Sequence, residues 1–151
     1  TVGVNGCFTG SYTSYRLIYY VSAASAVTSN VYFNFRKSGT NNTGANYTYT
    51  RFVINALNGS AGSGVVGNTG WNFMVTDVSG GQGASMDLYN PYTTVTRKGG
   101  IVDAAGDDYT GTGLYREMGS LAMGSSTQFD GFSIAASSGT ITGSIKIFAY
   151  N

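Results

Sequence analysis

The chain has 151 residues, enough for one domain with a sizeable core that needs neither metals nor disulfides to hold it. Hydrophobic residues are 42% of the total, which excludes a disordered tail, while charged residues are only 10%, against roughly 25% in an average soluble domain. A formal net charge of +1, with the basic residues scattered, removes the electrostatic case for nucleic acid or an anionic membrane as main partner.

Gly (23 residues), Ser, Thr, Asn and Tyr replace the missing charges. β-Branched and aromatic residues fit a pleated, half-buried surface, and Gly and Asn supply turn geometry. Nowhere do helix formers gather at 3.6-residue spacing for three turns, and no apolar stretch approaches the ~20 residues of a membrane-spanning helix. No signal-peptide pattern is expected ahead of the first strand within these residues.

In chain order, segment 14–21 places Tyr15, Leu17, Tyr19 and Val21 on one face, with Arg16, Ile18 and Tyr20 opposite. Segment 30–37 places Val31, Phe33 and Phe35 one way and Tyr32, Asn34 and Arg36 the other. Such alternation predicts strands with one face in a core and one toward solvent or a partner. The run 38–46 is turn-rich, and 47–57 reads as the next strand. The Gly-rich run 58–70 reads as punctuation, 71–78 and 84–89 as short strands, and Pro91 as the start of a turn. Residues 99–128 read as the longest loop-like region. Segments 129–136 and 141–150 read as two strands joined by a Ser138-Gly139 turn, with Ile141, Ile145 and Ile147 on one face.

About eight strands without helical inserts predict an all-β fold: an antiparallel two-sheet sandwich, jelly-roll-like, filling residues 1–151 as a single domain. Its expected core is Leu17, Phe33, Phe35, Ile145 and Ile147; Phe52, Phe73 and Trp71 also fall on hydrophobic phases.

The absence of His removes Ser–His–Asp and Cys–His catalysis and imidazole metal sites. Cys7 stands alone, so no intrachain disulfide forms, and it reads as a small buried hydrophobe. Asp107 and Asp108 are the only adjacent carboxylates, but sequence neighbours point apart on a strand, whereas a glycosidase needs two carboxyls facing across a sugar. DAAGDD (103–108) collects oxygen ligands of the kind calcium takes, yet lacks the EF-hand order, and an ordinary polar loop is the simpler reading. The chain is therefore expected not to be an enzyme and to need no cofactor or metal.

Tyrosines beside Asn, Asp, Thr and Gly, namely Tyr47, Tyr49, Tyr89, Tyr92, Tyr109 and Tyr115, suggest a sugar- or protein-binding surface, because the ring buries area while the hydroxyl seeks a polar neighbour. The loop 103–116 is the first expectation for such a surface. In it Asp107 and Asp108 would accept hydrogen bonds from hydroxyls, Tyr109 and Tyr115 would stack on a sugar face, and Arg116 would donate. Tyr20, Tyr32 and Phe148, opposite the expected core, are the expected oligomer-interface residues.

NGCFTGSYTSYRLIYYV (5–21), MDLYNPYT (86–93) and FSIAASSGTITGSIKIFAYN (132–151) together resemble a module of bacteriophage structural proteins. The likeness spans nearly the whole chain in order and spacing. It departs at Phe148-Ala149-Tyr150, where the family often has an aromatic residue followed by Gly. The resemblance implies a jelly-roll-like sandwich at the C-terminal end of a longer tail fibre, minor tail or head fibre protein, often a homotrimer, on the virion surface. It implies a fibre tip that binds a host cell-surface glycan or glycoprotein. The alternatives are a capsid decoration protein whose partners are other virion proteins and, more weakly, a cellular lectin. Neither nucleic acid nor membrane insertion is expected.

Overall fold

The computed structural model describes residues 1–26, 29–56, 59–76, 81–107 and 114–151, with the backbone alone at 29, 74–76 and 107. Among the described residues there is no helix; the chain is an antiparallel two-sheet β-sandwich. The smaller sheet holds β1 (Val2–Val4), β3 (Ser29–Lys37), β4 (Thr40–Asn41), β7 (Trp71–Thr76) and β11 (Gly131–Ala136), ordered β1-β11-β3-β4, with β7 also on β3. The larger sheet has β2 (Ser14–Ala24), β5 (Tyr47–Asn55), β6 (Gly59–Asn68), β8 (Gln82–Tyr89), β9 (Arg97–Asp107), β10 (Leu114–Gly124) and β12 (Ile141–Tyr150). Its order is β12-β2-β8-β9-β10-β5-β6, so strands from both ends of the chain lie in one sandwich.

Alternation drives the packing. Tyr15, Leu17, Tyr19 and Val21 of β2 point inward and are buried, as are Val31, Phe33 and Phe35 of β3. Phe33 stacks between Trp71 (5.4 Å between ring centres) and Phe132 (5.4 Å), with Phe35 edge-on at 5.1 Å. Ile141, Ile145 and Ile147 do share the inward face of β12, but as half-buried residues at the margin of the core. Cys7 packs there too, and burial pushes its thiol up to about 11, the behaviour of an unreactive small hydrophobe.

Several local expectations are corrected. The Gly-rich run 58–70 contains strand β6, which forms as an edge strand on β5 although few of its side chains contribute burial. The stretch 99–128 is not mainly loop: β9 and β10 run through it in register from Leu114↔Asp107 to Gly124↔Arg97. The small residues of β9 concealed its alternation, in which only Val102 and Ala104 face inward as buried apolar groups. Ser138-Gly139 does join two strands, with Gly139 at φ +65°, but β11 and β12 belong to different sheets. Phe52 is 43% exposed on the outer face, because β5 turns Tyr47 and Tyr49 inward instead.

At one end of the sandwich Lys98 is fully buried, and its ammonium donates to the carbonyls of Thr93 (3.0 Å), Val95 (2.7 Å) and Ser125. It also lies 5.7 Å from the centre of the Phe129 ring. A buried charge is tolerable only with such partners, and here it ties the β8–β9 and β10–β11 connections together. Just before it, Asn90 adopts φ +58° ahead of Pro91, so the expected turn is present.

Candidate functional site

The expected loop 103–116 is largely strand. Asp103 and Arg116 lie on the outer face of β9 and β10, where Arg116 donates to Asp103 through Nε (2.9 Å) and Nη2 (2.6 Å). The Arg116 guanidinium holds the Asp103 carboxyl below its usual range. Arg116 is thus engaged in the sheet plane rather than presented from a loop. Tyr115, one residue earlier, points to the opposite face and is buried, so it cannot stack on an external sugar. Asp107 closes β9 with its side chain outside the described residues, and Asp108 and Tyr109 lie outside them altogether. Tyr47 and Tyr49 are also core residues: the Tyr47 hydroxyl donates to Asn42 O (3.0 Å) and accepts from Phe35 N (2.9 Å). Among the described residues no three Cys, Asp or Glu side chains gather.

What the topology assembles instead is the outer face of the seven-stranded sheet. Strand pairing sets its side chains in rows across the sheet. One row runs Phe148, Arg16, Asp87, Ile101, Ser120, Thr50; the next runs Lys146, Ile18, Ser85, Asp103, Met118, Phe52. A third runs Ser144, Tyr20, Gly83, Ala105, Arg116, Ile54. Most large apolar side chains that the described residues leave exposed stand on this face, including Phe148 (51%), Tyr20 (51%), Ile101 (49%) and Leu114 (69%). Exposed large apolar side chains gathered on one face, here with ion pairs between them, are the pattern of an interaction surface.

The carboxylates of Asp87 and Asp103 on this face are paired with arginines within its plane. Arg16 donates to both oxygens of Asp87 (2.7 and 2.6 Å), and the Tyr150 hydroxyl donates to Asp87 Oδ1 at 3.2 Å. These donors hold the Asp87 carboxyl below its usual range. Between Ile18 on one side and the Asp103–Arg116 pair on the other, the small residues Gly83, Ser85 and Ala105 floor a shallow trough. Lys146 stands on β12, an edge strand, where a lysine discourages strand-to-strand aggregation.

Of the expected interface residues, Tyr20 and Phe148 share this face on neighbouring strands. Tyr32 does not: it is half-buried on the outer side of the smaller sheet. The face also recruits Ile54, Ile101, Phe52 and Leu114, which sequence reading did not select. The signal available was apolar residues on the outward phase of several strands, and only the sheet order shows that those strands adjoin. No protein-family model matches the chain, and no curated protein is significantly similar to it in sequence.

Proposed function

We propose that this chain is a non-enzymatic binding and assembly module of the exterior of a bacterial-virus particle, and that it self-associates through the outer face of its larger sheet. The carrying observation is that face: it holds most of the large apolar side chains that the described residues leave exposed, and its acidic groups are paired in the plane with Arg16 and Arg116. At strand spacings of about 4.8 Å and a rise of about 3.3 Å per residue, it spans roughly 30 Å by 25 Å, on the order of 750 Å2 per protomer. A stable interface takes about 800 Å2 from each partner, so the face is of the size that an oligomer requires. Its two carboxylates are already paired with arginines, so Lys146 is the charge a second copy would have to accommodate, and three copies with their faces toward one axis would close a homotrimer.

The resemblance of 5–21, 86–93 and 132–151 to bacteriophage structural modules supports the virion setting. In the receptor-binding reading, trimeric display multiplies weak contacts with a host surface glycan or glycoprotein, because neighbouring sites raise avidity without new contacts. The capsid-decoration reading is favoured by the same apolar face, which would then pack on another virion protein.

Adsorption of the labelled module to bacterial cells and purified envelope polysaccharides, beside sedimentation, tests the proposal. Saturable binding by an oligomer is the expected result. An oligomer that ignores cells but binds purified capsids selects decoration, and a monomer that binds neither contradicts the proposal.

A further inference from the structure

The strand registers of the larger sheet also restrict how a second copy can face it. Across the three rows of its outer face, Arg16, Arg116 and Lys146 stand against Asp87 and Asp103, which leaves one positive charge in excess. Both arginines are held by carboxylates, whereas Lys146 is exposed and makes no ion pair among the described residues. Of the two carboxylates Asp103 is the more open, its side chain 47% exposed against 11% for Asp87. Each Asp103 oxygen accepts one bond from Arg116, which leaves lone pairs for a further donor. Bulk is divided as unevenly as charge. Exposed Ile18, Tyr20 and Phe148 form a ridge on β2 and β12, while Gly83, Ser85 and Ala105 floor the trough beside it on β8 and β9.

We infer that β12 and β2 of one copy lie over β9 and β8 of the next, strands running in the same direction, with Lys146 of the one seated on Asp103 of the other. This contact rests on the reading of the outer face as an assembly surface, and it names the strips that touch, whether a pair or a ring of three closes the assembly. In this register Tyr20 comes over Gly83, Ile18 over Ser85 and Phe148 over Ile101, so the ridge fills the trough and apolar groups meet. Arg16 comes over Asp87, and no like charges are opposed. Sheets packed face to face lie about 10 Å apart, a gap that a lysine and an aspartate side chain span together.

Neighbouring registers match less well. A shift of one strand one way sets Arg16 over Arg16 of the second copy and Lys146 over Ser85. A shift the other way sets Lys146 over Met118 and Arg16 over Ile101, so neither base meets an acid. Running the strands in opposite directions while keeping Lys146 on Asp103 sets Arg16 over Arg116. Like charges set opposite one another across an interface select against such arrangements.

Within one chain Lys146 and Asp103 stand three strands apart, about 14 Å, beyond the ~8 Å over which exposed charges act at physiological salt, so coupling between them reports contact between copies. The test is charge reversal, with Lys146→Asp, Asp103→Lys and the two combined in one chain, followed by sedimentation velocity across a concentration series. Each single reversal opposes like charges and should weaken association about tenfold, and the combined chain should return to within about threefold of wild type. Lys146→Asp only reverses the sign of the single excess charge, so net repulsion by itself would leave association unchanged. Circular dichroism at concentrations that keep every variant monomeric should match wild type, because Asp103 and Arg116 form an exposed pair and Lys146 forms none. No loss from the single reversals, or losses that add in the combined chain, would overturn this register while leaving the outer face as the assembly surface. A wild type that stays monomeric at tens of micromolar would overturn both.

Discussion

Replacing Phe33 by Ala is the sharpest test of how this sandwich is held together. The ring is fully buried and touches three other aromatic rings drawn from β3, β7 and β11. Removing a buried phenylalanine costs about 3–5 kcal/mol in lost transfer energy and cavity formation. The two stacked neighbours and one edge-on neighbour place this site toward the upper end, since each aromatic pair adds about 0.5–1.5 kcal/mol beyond area burial. Urea unfolding followed by the fluorescence of Trp71, which stacks on Phe33, reads the change directly. With a denaturant slope of about 2 kcal/mol/M, the midpoint should fall by about 2 M. Phe52→Ala is the matched control: in the isolated chain, at concentrations low enough to keep both proteins monomeric, the same chemical deletion on the exposed face should stay within about 0.5 kcal/mol of wild type. A Phe33→Ala loss below about 1 kcal/mol, or a Phe52→Ala loss as large as that of Phe33→Ala, would refute the assignment of faces.

Lys98→Met keeps the stem volume but leaves the carbonyls of Thr93, Val95 and Ser125 without their donor, and should cost about 2–4 kcal/mol by thermal or urea unfolding. A neutral result would mean that the ammonium does not tie those connections. Acid should also weaken the fold. Asp87 and Asp103 have folded pKa values below their ordinary 3.8, so their contribution is present above that value and is lost as pH falls through the lowered ones. Glu117 has the opposite sign: burial outweighs Arg51 and raises its pKa above the ordinary 4.5. Its contribution is therefore greatest below 4.5 and is lost as pH rises toward the raised value. Glu117→Gln should accordingly steepen the acid loss of stability and Asp87→Asn should flatten it, measured as melting temperature between pH 2 and pH 6.

Much of the fold was legible because period-two alternation is strong wherever one face is aromatic. Segments 14–21 and 30–37 gave both the strands and their inward residues correctly. β6 and β9 were missed for a physical reason: strands rich in Gly, Ser and Ala carry no hydrophobic contrast, and pairing with β5 and β8 supplies what their own side chains lack. Phe52 shows the converse limit. Alternation in 47–57 defines two faces, but both carry apolar residues, so the pattern alone does not say which one faces the core. The same ambiguity separates Tyr115 from Arg116, adjacent in sequence and on opposite sides of the sheet. Tyr20 and Phe148 were legible as outward residues; that they share a surface with Ile101 and Phe52 depends on the order β12-β2-β8-β9-β10-β5, which no local pattern encodes. The buried donor of Lys98 is likewise a tertiary fact, since one of its acceptors, the Ser125 carbonyl, is distant in sequence.

The claim that the larger sheet's outer face is the working surface meets its most direct test in sedimentation velocity at tens of micromolar, wild type against Tyr20→Lys with Phe52→Lys. Both positions are exposed in the single chain, on β2 and β5, so the double variant should keep the wild-type circular dichroism, with its melting temperature lower only by what assembly contributes. The wild type should sediment as an oligomer, with a trimer at three times the 15.8 kDa chain, or about 47 kDa, and the variant as the 15.8 kDa monomer. A monomeric wild type, or an oligomer untouched by two lysines on this face, would contradict the account.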